Sequence, residues 1–167
     1  MPIKFQVKLS DKDMYRFNMY HAYTSAQGIL SIVVAIVILL VTYVCRDRLG
    51  TQNIVIYLAF AAIFLFYMPV SLKMRSKRQI ALSDVLQGVL TYELTEEGVV
   101  VATDTSDETA TLPWDMIYKV VTNKHQLLIY SNRVNAYVVP LECIADQKDA
   151  VYGVFRDKVE DYRLHLK

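Results

Sequence analysis

The sequence has little of the residues on which most catalytic and metal sites depend. Among its 167 residues are two cysteines, three histidines and five glycines. Cys45 and Cys143 stand outside any CxxC motif and away from a histidine, while His21, His125 and His165 are scattered over separate segments. The chain has no glycine-rich loop of the kind that holds phosphate. We therefore expect no enzymatic activity, no cofactor and no metal site.

Charge is missing altogether from two long apolar runs. They are Gly28–Cys45 and Ile54–Leu72, and a short polar segment, 46–53, separates them. At about 1.5 Å per helical residue each run reaches roughly 27 Å, close to the ~30 Å hydrocarbon core of a bilayer. The pattern predicts a transmembrane helical hairpin. Since neither run contains an acid or a histidine, we expect an anchor and not an ion or proton pathway.

The two halves of the chain carry opposite charge. Residues 1–78 hold ten Lys/Arg against three acids, whereas residues 79–167 hold eight against fourteen. An acidic second half offers no surface for nucleic acid. Basic residues flank both apolar runs on their outer sides, while the segment between the runs has only Arg46 and Arg48. The positive-inside rule therefore predicts a multi-pass cell-membrane protein with two spans and both termini in the cytoplasm.

A basic cluster follows directly after the second run. Two interpretations are open: the cluster sets the topology, its aliphatic stems lying along apolar surface, or it binds anionic lipid headgroups. In both, we expect these side chains at the membrane interface, with membrane lipids as partners. The cluster consists of Lys73, Arg75, Lys77 and Arg78.

Residues before the first run predict a strand and then a helix. Apolar and polar residues alternate over Ile3–Leu9, the period of a half-buried strand that joins a sheet elsewhere. Ser10 and Asp13 then have the spacing of a capping box. We expect an amphipathic helix over 10–27 that runs on into the first span. His21 within it is either a pH-sensing group or an ordinary interfacial residue.

Residues after the second run change period from helix to strand. A basic connecting helix is predicted over 73–88, ending at Gly88 as a left-handed cap. Short strands follow, in the spacing of an antiparallel meander. The final helix carries an apolar stripe that should cover the sheet. The strands are expected at 89–95, 98–103, 109–114, 118–122, 126–131 and 136–139, and the stripe consists of Val151, Val154, Phe155, Val159 and Tyr162.

Four segments carry a resemblance to a known family. They are LSDKDMYRFN at 9–18, YELTEEG at 92–98, LPW at 112–114 followed by Ile117, and Val139-Pro140 before the final helix. With the order of elements, they resemble the YcxB-like bacterial membrane proteins, whose soluble part is similar to bacterial pleckstrin-homology-like (PH-like) domains. The resemblance implies an antiparallel β-barrel or sandwich capped by a C-terminal helix, and it brings no catalytic residues with it.

The predicted fold class is a membrane helical hairpin joined to an α+β soluble domain. The predicted function is that of a non-enzymatic protein-interaction or scaffolding module, with a protein partner or a second copy of the chain. The alternatives are an accessory subunit of a larger transporter or export complex, and a sensor of lipid or small molecules. Trp114 is a core anchor or a ligand platform. The predicted segments are 1–9 (strand), 10–27 (lead-in helix), 28–72 (hairpin), 73–88 (connecting helix) and 89–167 (cytoplasmic PH-like domain).

Overall fold

The structure is a computed structural model that describes residues 3–166, apart from the side chains of residues 106–108. Residues 1, 2 and 167 of the predicted first and last segments lie outside this description. The helices are α1 (Asp11–Tyr23), α2 (Ala26–Val44), α3 (Thr51–Ala81), α4 (Asp84–Gln87) and α5 (Lys148–Lys158). The strands are β1 (Ile3–Lys8), β2 (Val89–Leu94), β3 (Gly98–Thr103), β4 (Ser106–Pro113), β5 (Lys119–Thr122), β6 (Gln126–Tyr130), β7 (Ala136–Pro140) and β8 (Leu164–His165).

The chain divides into two compact units. One, the sheet unit, consists of Met1–Met14 together with Gln79–Lys167, and the other, the helical unit, is Tyr15–Arg78. The sheet unit is therefore built from both ends of the chain, because the helical unit interrupts it in sequence.

The first sheet of the sheet unit is an antiparallel meander in the order β1-β2-β3-β4. In β1, Phe5 and Val7 are buried, while Gln6 between them and Lys4 and Lys8 beside them are exposed, as the alternating pattern predicts. Phe5 lies opposite Tyr92 of β2, and their rings stack with centroids 5.2 Å apart. The strand that precedes the apolar helices thus joins the sheet that follows them.

The second sheet has the order β7-β6-β5-β8. Its first three strands are antiparallel, and every residue of β6 is buried. The two-residue strand β8 pairs parallel to β5 and was not predicted. Helix α5 buries Val151 and Phe155, but it ends at Lys158, so Tyr162 lies beyond it and is exposed. The prediction that Tyr162 belongs to the apolar helical stripe is wrong.

The two sheets do not close into a barrel. Within the described residues no strand pairing joins one sheet to the other, so the predicted β-barrel is not observed. The sheets do contact each other through side chains: the ring of Tyr92 in β2 meets that of Tyr137 in β7 edge-on, with centroids 6.3 Å apart. The coarser prediction is confirmed: two long apolar helices accompany a sheet domain with a C-terminal helix.

The helical unit contains α2 and most of α3, which are long and apolar enough to cross a membrane. Small side chains are the buried ones: Gly28, Ala35 and Thr42 on α2, spaced seven residues apart, and Ala61 on α3. That spacing returns to the same helix face every two turns and allows close helix packing. Most large apolar side chains of both helices are exposed.

Two predictions about helix ends are wrong. The lead-in helix does not run into the first span, because α1 ends at Tyr23 and the Ser25 side chain caps α2 by accepting from the Gly28 N–H. A side chain at Gly28 would collide with the Ala22 carbonyl, so the chain passes too closely there for other residues. Gly88 follows α4, not a helix continuous from residue 73, and its φ of −74° is not left-handed. Instead, Gly88 is packed against Asp104.

Candidate functional site

The basic cluster lies in the last turns of α3. The four side chains are exposed, and none forms an ion pair with a described residue. At about 100° per residue they cover about 200° of the helix surface. Ser76 lies outside this arc, is buried, and accepts a 2.8 Å hydrogen bond from the side-chain amide of Asn18 on α1. One side of α3 is therefore held by α1 and the remaining sides present positive charge.

An open strand edge is the second feature. β4 is the outermost strand of its sheet and pairs only with β3. In the described part of the chain, the backbone of residues 109–113 makes no hydrogen bond outside that pairing. β1, at the opposite edge, is partly covered, because the side chain of Gln147 donates to the Lys4 carbonyl. β4 is thus the longer free edge, and Thr109, Ala110 and Thr111 on it are exposed.

The strand register fixes which backbone groups of β4 point outward. The Thr95 N–H donates to the Gly98 carbonyl, so these two residues form a hydrogen-bonded pair at the β2–β3 turn. Such pairs alternate along an antiparallel ladder, which directs the N–H and C=O of Val99 and Val101 toward β4. The residues opposite Val100 and Ala102 therefore point their backbone groups away from β3. These are Thr111 and Thr109.

Charges around the sheet unit are mostly acidic, and several are paired. Glu93 and Lys4 form a 3.0 Å ion pair on adjacent strands. The Lys158 ammonium donates to the Glu96 carboxylate, and this hydrogen bond, with the charge of Lys158, lowers the pKa of Glu96. Arg163 donates to the carbonyls of Asp115 and Ile117, which ties the chain end to the segment after β4. None of these pairs involves residues 109–113.

An apolar cavity of about 270 Å³ lies between the two sheets. Its deeper wall consists of buried residues, including Tyr92, Leu90 and Val138, whereas Thr109 and Ala110 at its mouth are exposed. No side chain in its wall carries a charge. The remaining wall residues are Leu9, Met14, Val85, Leu86, Val101, Ala102, Thr103, Ala136 and Tyr137.

Trp114 acts as a structural anchor. Its indole N–H lies 3.2 Å from the carbonyl oxygens of both Thr95 and Glu96, and its ring meets Phe155 edge-on at 5.7 Å. These contacts join the β2–β3 turn, the end of β4 and α5. Because the indole is occupied in this way, the structure favours the core role over the ligand platform.

The remaining candidate groups do not converge. His21 packs on Phe17 in α1, whereas His125 lies in the β5–β6 turn. Burial, with the nearby acids Glu142 and Asp13, raises the pKa of Cys143, so its thiol is a poor nucleophile near neutral pH. Among the residues that the structure describes, no three metal-ligating side chains form a cluster.

The fold defines a class: a two-sheet domain, with a C-terminal helix, into which a pair of apolar helices is inserted in sequence. Residues 94–152 match the family model described as YcxB-like protein. The matched segment runs from the end of β2 into α5 and includes the whole of β4. Over these residues the match supports the predicted YcxB-like resemblance. No curated protein matches the chain.

Proposed function

We propose that this protein is a non-enzymatic membrane protein whose cytoplasmic sheet unit binds a segment of a partner protein along β4. The observation that carries the proposal is the open edge of β4, where Thr109 and Thr111 direct unpaired backbone groups outward. An exposed edge of this kind accepts an extended peptide as an additional strand.

The membrane location is supported by α2 and α3. Large apolar side chains on both helices are exposed, among them Val44 at 75% and Phe66 at 65%, and water is a poor surrounding for so many of them. The excess of basic residues at the outer ends of the pair supports cytoplasmic termini. The exposed cluster Lys73, Arg75, Lys77 and Arg78 would then contact anionic headgroups at the inner surface.

A PH-like architecture for the sheet unit belongs to the same proposal. The resemblance implies about seven antiparallel strands followed by one helix. The two meanders β1–β4 and β5–β7, with α5 after them, support it, although the sheets stay open. The fold alone does not identify the ligand.

The chemistry of the partner follows from charge. From residue 79 onward the chain holds fourteen acids against eight basic residues. Anionic headgroups would be repelled from this surface, whereas an extended segment containing Lys or Arg would be attracted. We therefore assign the β4 edge to a basic, extended segment of another protein.

The experiment uses a photo-reactive amino acid at position 109 of the full chain in cells. We compare Thr111→Pro, which removes an outward N–H, with Thr111→Val, which keeps it; neither change affects the N–H groups that pair with β3. With Thr111→Val, we expect a partner protein to be cross-linked through a segment that contains Lys or Arg. With Thr111→Pro, we expect this cross-link to be lost. Circular dichroism of both variants verifies that the sheets are intact.

Three outcomes would overturn the proposal. Equal cross-linking in both variants would show that the edge is not the contact. Cross-links only to lipid, or only to a second copy of the chain, would assign β4 to a different occupant. A partner captured from position 66 of α3 but not from position 109 would favour the accessory-subunit alternative, in which the exposed apolar helices make the contact.

A further inference from the structure

We propose that the cavity between the two sheets is a binding site for a single uncharged hydrocarbon chain. The proposal is independent of strand addition at β4, because it concerns the space between the sheets and not the backbone edge.

The wall of the cavity determines the polarity of the ligand. It is made of apolar side chains with a few hydroxyl groups, and it includes no acid, lysine, arginine or histidine. The pKa of Tyr92 is raised mainly by burial, so its hydroxyl also stays uncharged near neutral pH. A charged headgroup placed here would lose its hydration without a counter-ion, at a cost of several kcal/mol or more. The ligand within the cavity must therefore be neutral.

The size of the cavity sets the length of the chain. An apolar cavity of about 150 Å³ accommodates benzene, so the 270 Å³ found here corresponds to a ligand of about ten non-hydrogen atoms. Three alanines, Ala102, Ala110 and Ala136, leave this volume open where larger side chains would fill it. A wall with so few polar groups holds water poorly, since a buried water needs about three hydrogen bonds. An apolar occupant is thus favoured over solvent.

The position of the cavity favours a chain of the kind that membrane lipids carry. Leu9 and Met14 belong to the segment that leads into the apolar helices, and Val85 and Leu86 belong to the segment that leads out of them. Both connections to the proposed membrane anchor therefore form part of the wall. Of the apolar ligands of this size, an alkyl or acyl chain is the one that a membrane supplies.

The test uses two photo-reactive probes on the full chain in lipid nanodiscs. One is decanol that carries a diazirine, and the other is a phosphatidylcholine with a diazirine in its acyl chain. Cross-linking is quantified on the tryptic peptide 134–148, which contains the wall residues Ala136–Val138. Labelling of α2 and α3 by either probe serves as an internal reference, because those helices contact lipid in any case.

The matched variants are Ala110→Trp and Thr111→Trp. Ala110 lies in the wall, whereas Thr111 is its exposed neighbour outside the wall. Both changes fall outside peptide 134–148, so its mass is the same in all samples. We expect Ala110→Trp to lower labelling of this peptide by about tenfold or more, equivalent to about 1.4 kcal/mol of binding free energy. With Thr111→Trp, labelling of this peptide should remain at the level found for the wild-type chain.

The outcomes separate the proposal from its alternatives. Labelling of peptide 134–148 by the decanol probe alone would identify a free chain as the source, and labelling by the phospholipid alone would identify a lipid; both support the site. Equal labelling in the two variants, or labelling confined to α2 and α3, would overturn it. Because neither Trp substitution removes an outward N–H of β4, the result does not depend on strand addition.

Discussion

The sheet unit and the helical unit differ in the exposure of their large apolar side chains. In the sheet unit, Val7, Val99 and Phe155 are completely buried. On α2 and α3 of the helical unit, the buried positions are occupied by small side chains such as Ala35, while Phe66 and Tyr67 are 65% and 72% exposed. Burying apolar area contributes about 25 cal/mol per Å². The buried apolar side chains of the sheet unit contribute this stabilisation to folding, whereas the exposed apolar side chains of α2 and α3 contribute little of it.

The test with the largest expected effect asks where the two units lie relative to the membrane. Asp47, between the apolar helices, has an 88% exposed side chain, and Lys124 is exposed in the β5–β6 turn. With Cys45 and Cys143 replaced by alanine, we introduce Asp47→Cys or Lys124→Cys. A membrane-impermeant maleimide should label the first in intact cells and the second only after permeabilisation, because the positive-inside rule predicts a cytoplasmic sheet unit.

The native cysteines are less suitable for this measurement. The raised pKa of Cys143 reduces its thiolate fraction, so weak labelling there would not by itself indicate the cytoplasm. Labelling of unfolded protein verifies that both introduced thiols react. In intact cells, labelling of Lys124→Cys but not of Asp47→Cys would indicate the opposite orientation. Labelling of both positions would contradict the membrane assignment.

The next test compares one buried and one exposed phenylalanine. Phe155→Ala removes a side chain that is 0% exposed and that packs against Trp114, so the sheet unit should lose about 3–5 kcal/mol of unfolding free energy. Phe66→Ala, in the helical unit, should change it by no more than about 0.5 kcal/mol. Trp114 is the only tryptophan in the sequence, so its fluorescence during denaturant unfolding in nanodiscs reports on the sheet unit.

Equal losses from the two substitutions would break the comparison, since the sheet unit would then depend on the packing of α3. Because Phe155 contacts the indole, the fluorescence baselines of the first variant will differ from those of the wild-type chain. The unfolding midpoint, and not the intensity, is therefore the measured quantity.

The elements that the sequence predicts well are those whose signals are local. Alternation over 3–9 and 89–95 located β1 and β2, and the Ser10–Asp13 capping box forms as expected, with the Asp13 carboxylate accepting from the Ser10 N–H at 3.1 Å. Each depends on contacts within a few residues. The basic cluster at the end of α3 was located in the same way, because charge is read directly from the sequence.

The missed features depend on how separate elements meet in three dimensions. The Ala22 carbonyl lies close to Gly28 because the chain turns between α1 and α2, and local sequence does not show this approach. Gly88 lies against Asp104, which is in the turn between β3 and β4. This contact, and not a left-handed cap, accounts for the glycine at position 88. The cavity is hardest to foresee, because its wall joins residue 9 to residue 138 and no single segment shows it. Whether β4 binds a partner stays a prediction.

The smallest expected effect concerns the exposed ion pair between Glu96 and Lys158. The pKa of Glu96 is lowered in the folded chain, first by the hydrogen bond from Lys158 and then by its charge. A carboxyl with a lowered folded pKa adds stability at pH values above its unfolded pKa, and this contribution is lost as the pH falls through the folded pKa. Glu96→Gln should therefore lower the unfolding midpoint slightly at neutral pH and not at all in acid, below the ordinary range of glutamate.

The side chain of Glu96 is 91% exposed, so salt should screen the difference. Trp114 fluorescence again provides the measurement, and Lys158→Met, which removes the other partner, should follow the same pH dependence. A difference between Glu96→Gln and the wild-type chain that persisted in acid or in high salt would mean that the substitution acts by another route. The nearest one is the backbone: the Glu96 carbonyl accepts from the Trp114 indole, and a shift of the β2–β3 turn would weaken that hydrogen bond at every pH. The pH profile thus distinguishes the charge of residue 96 from its role in the turn.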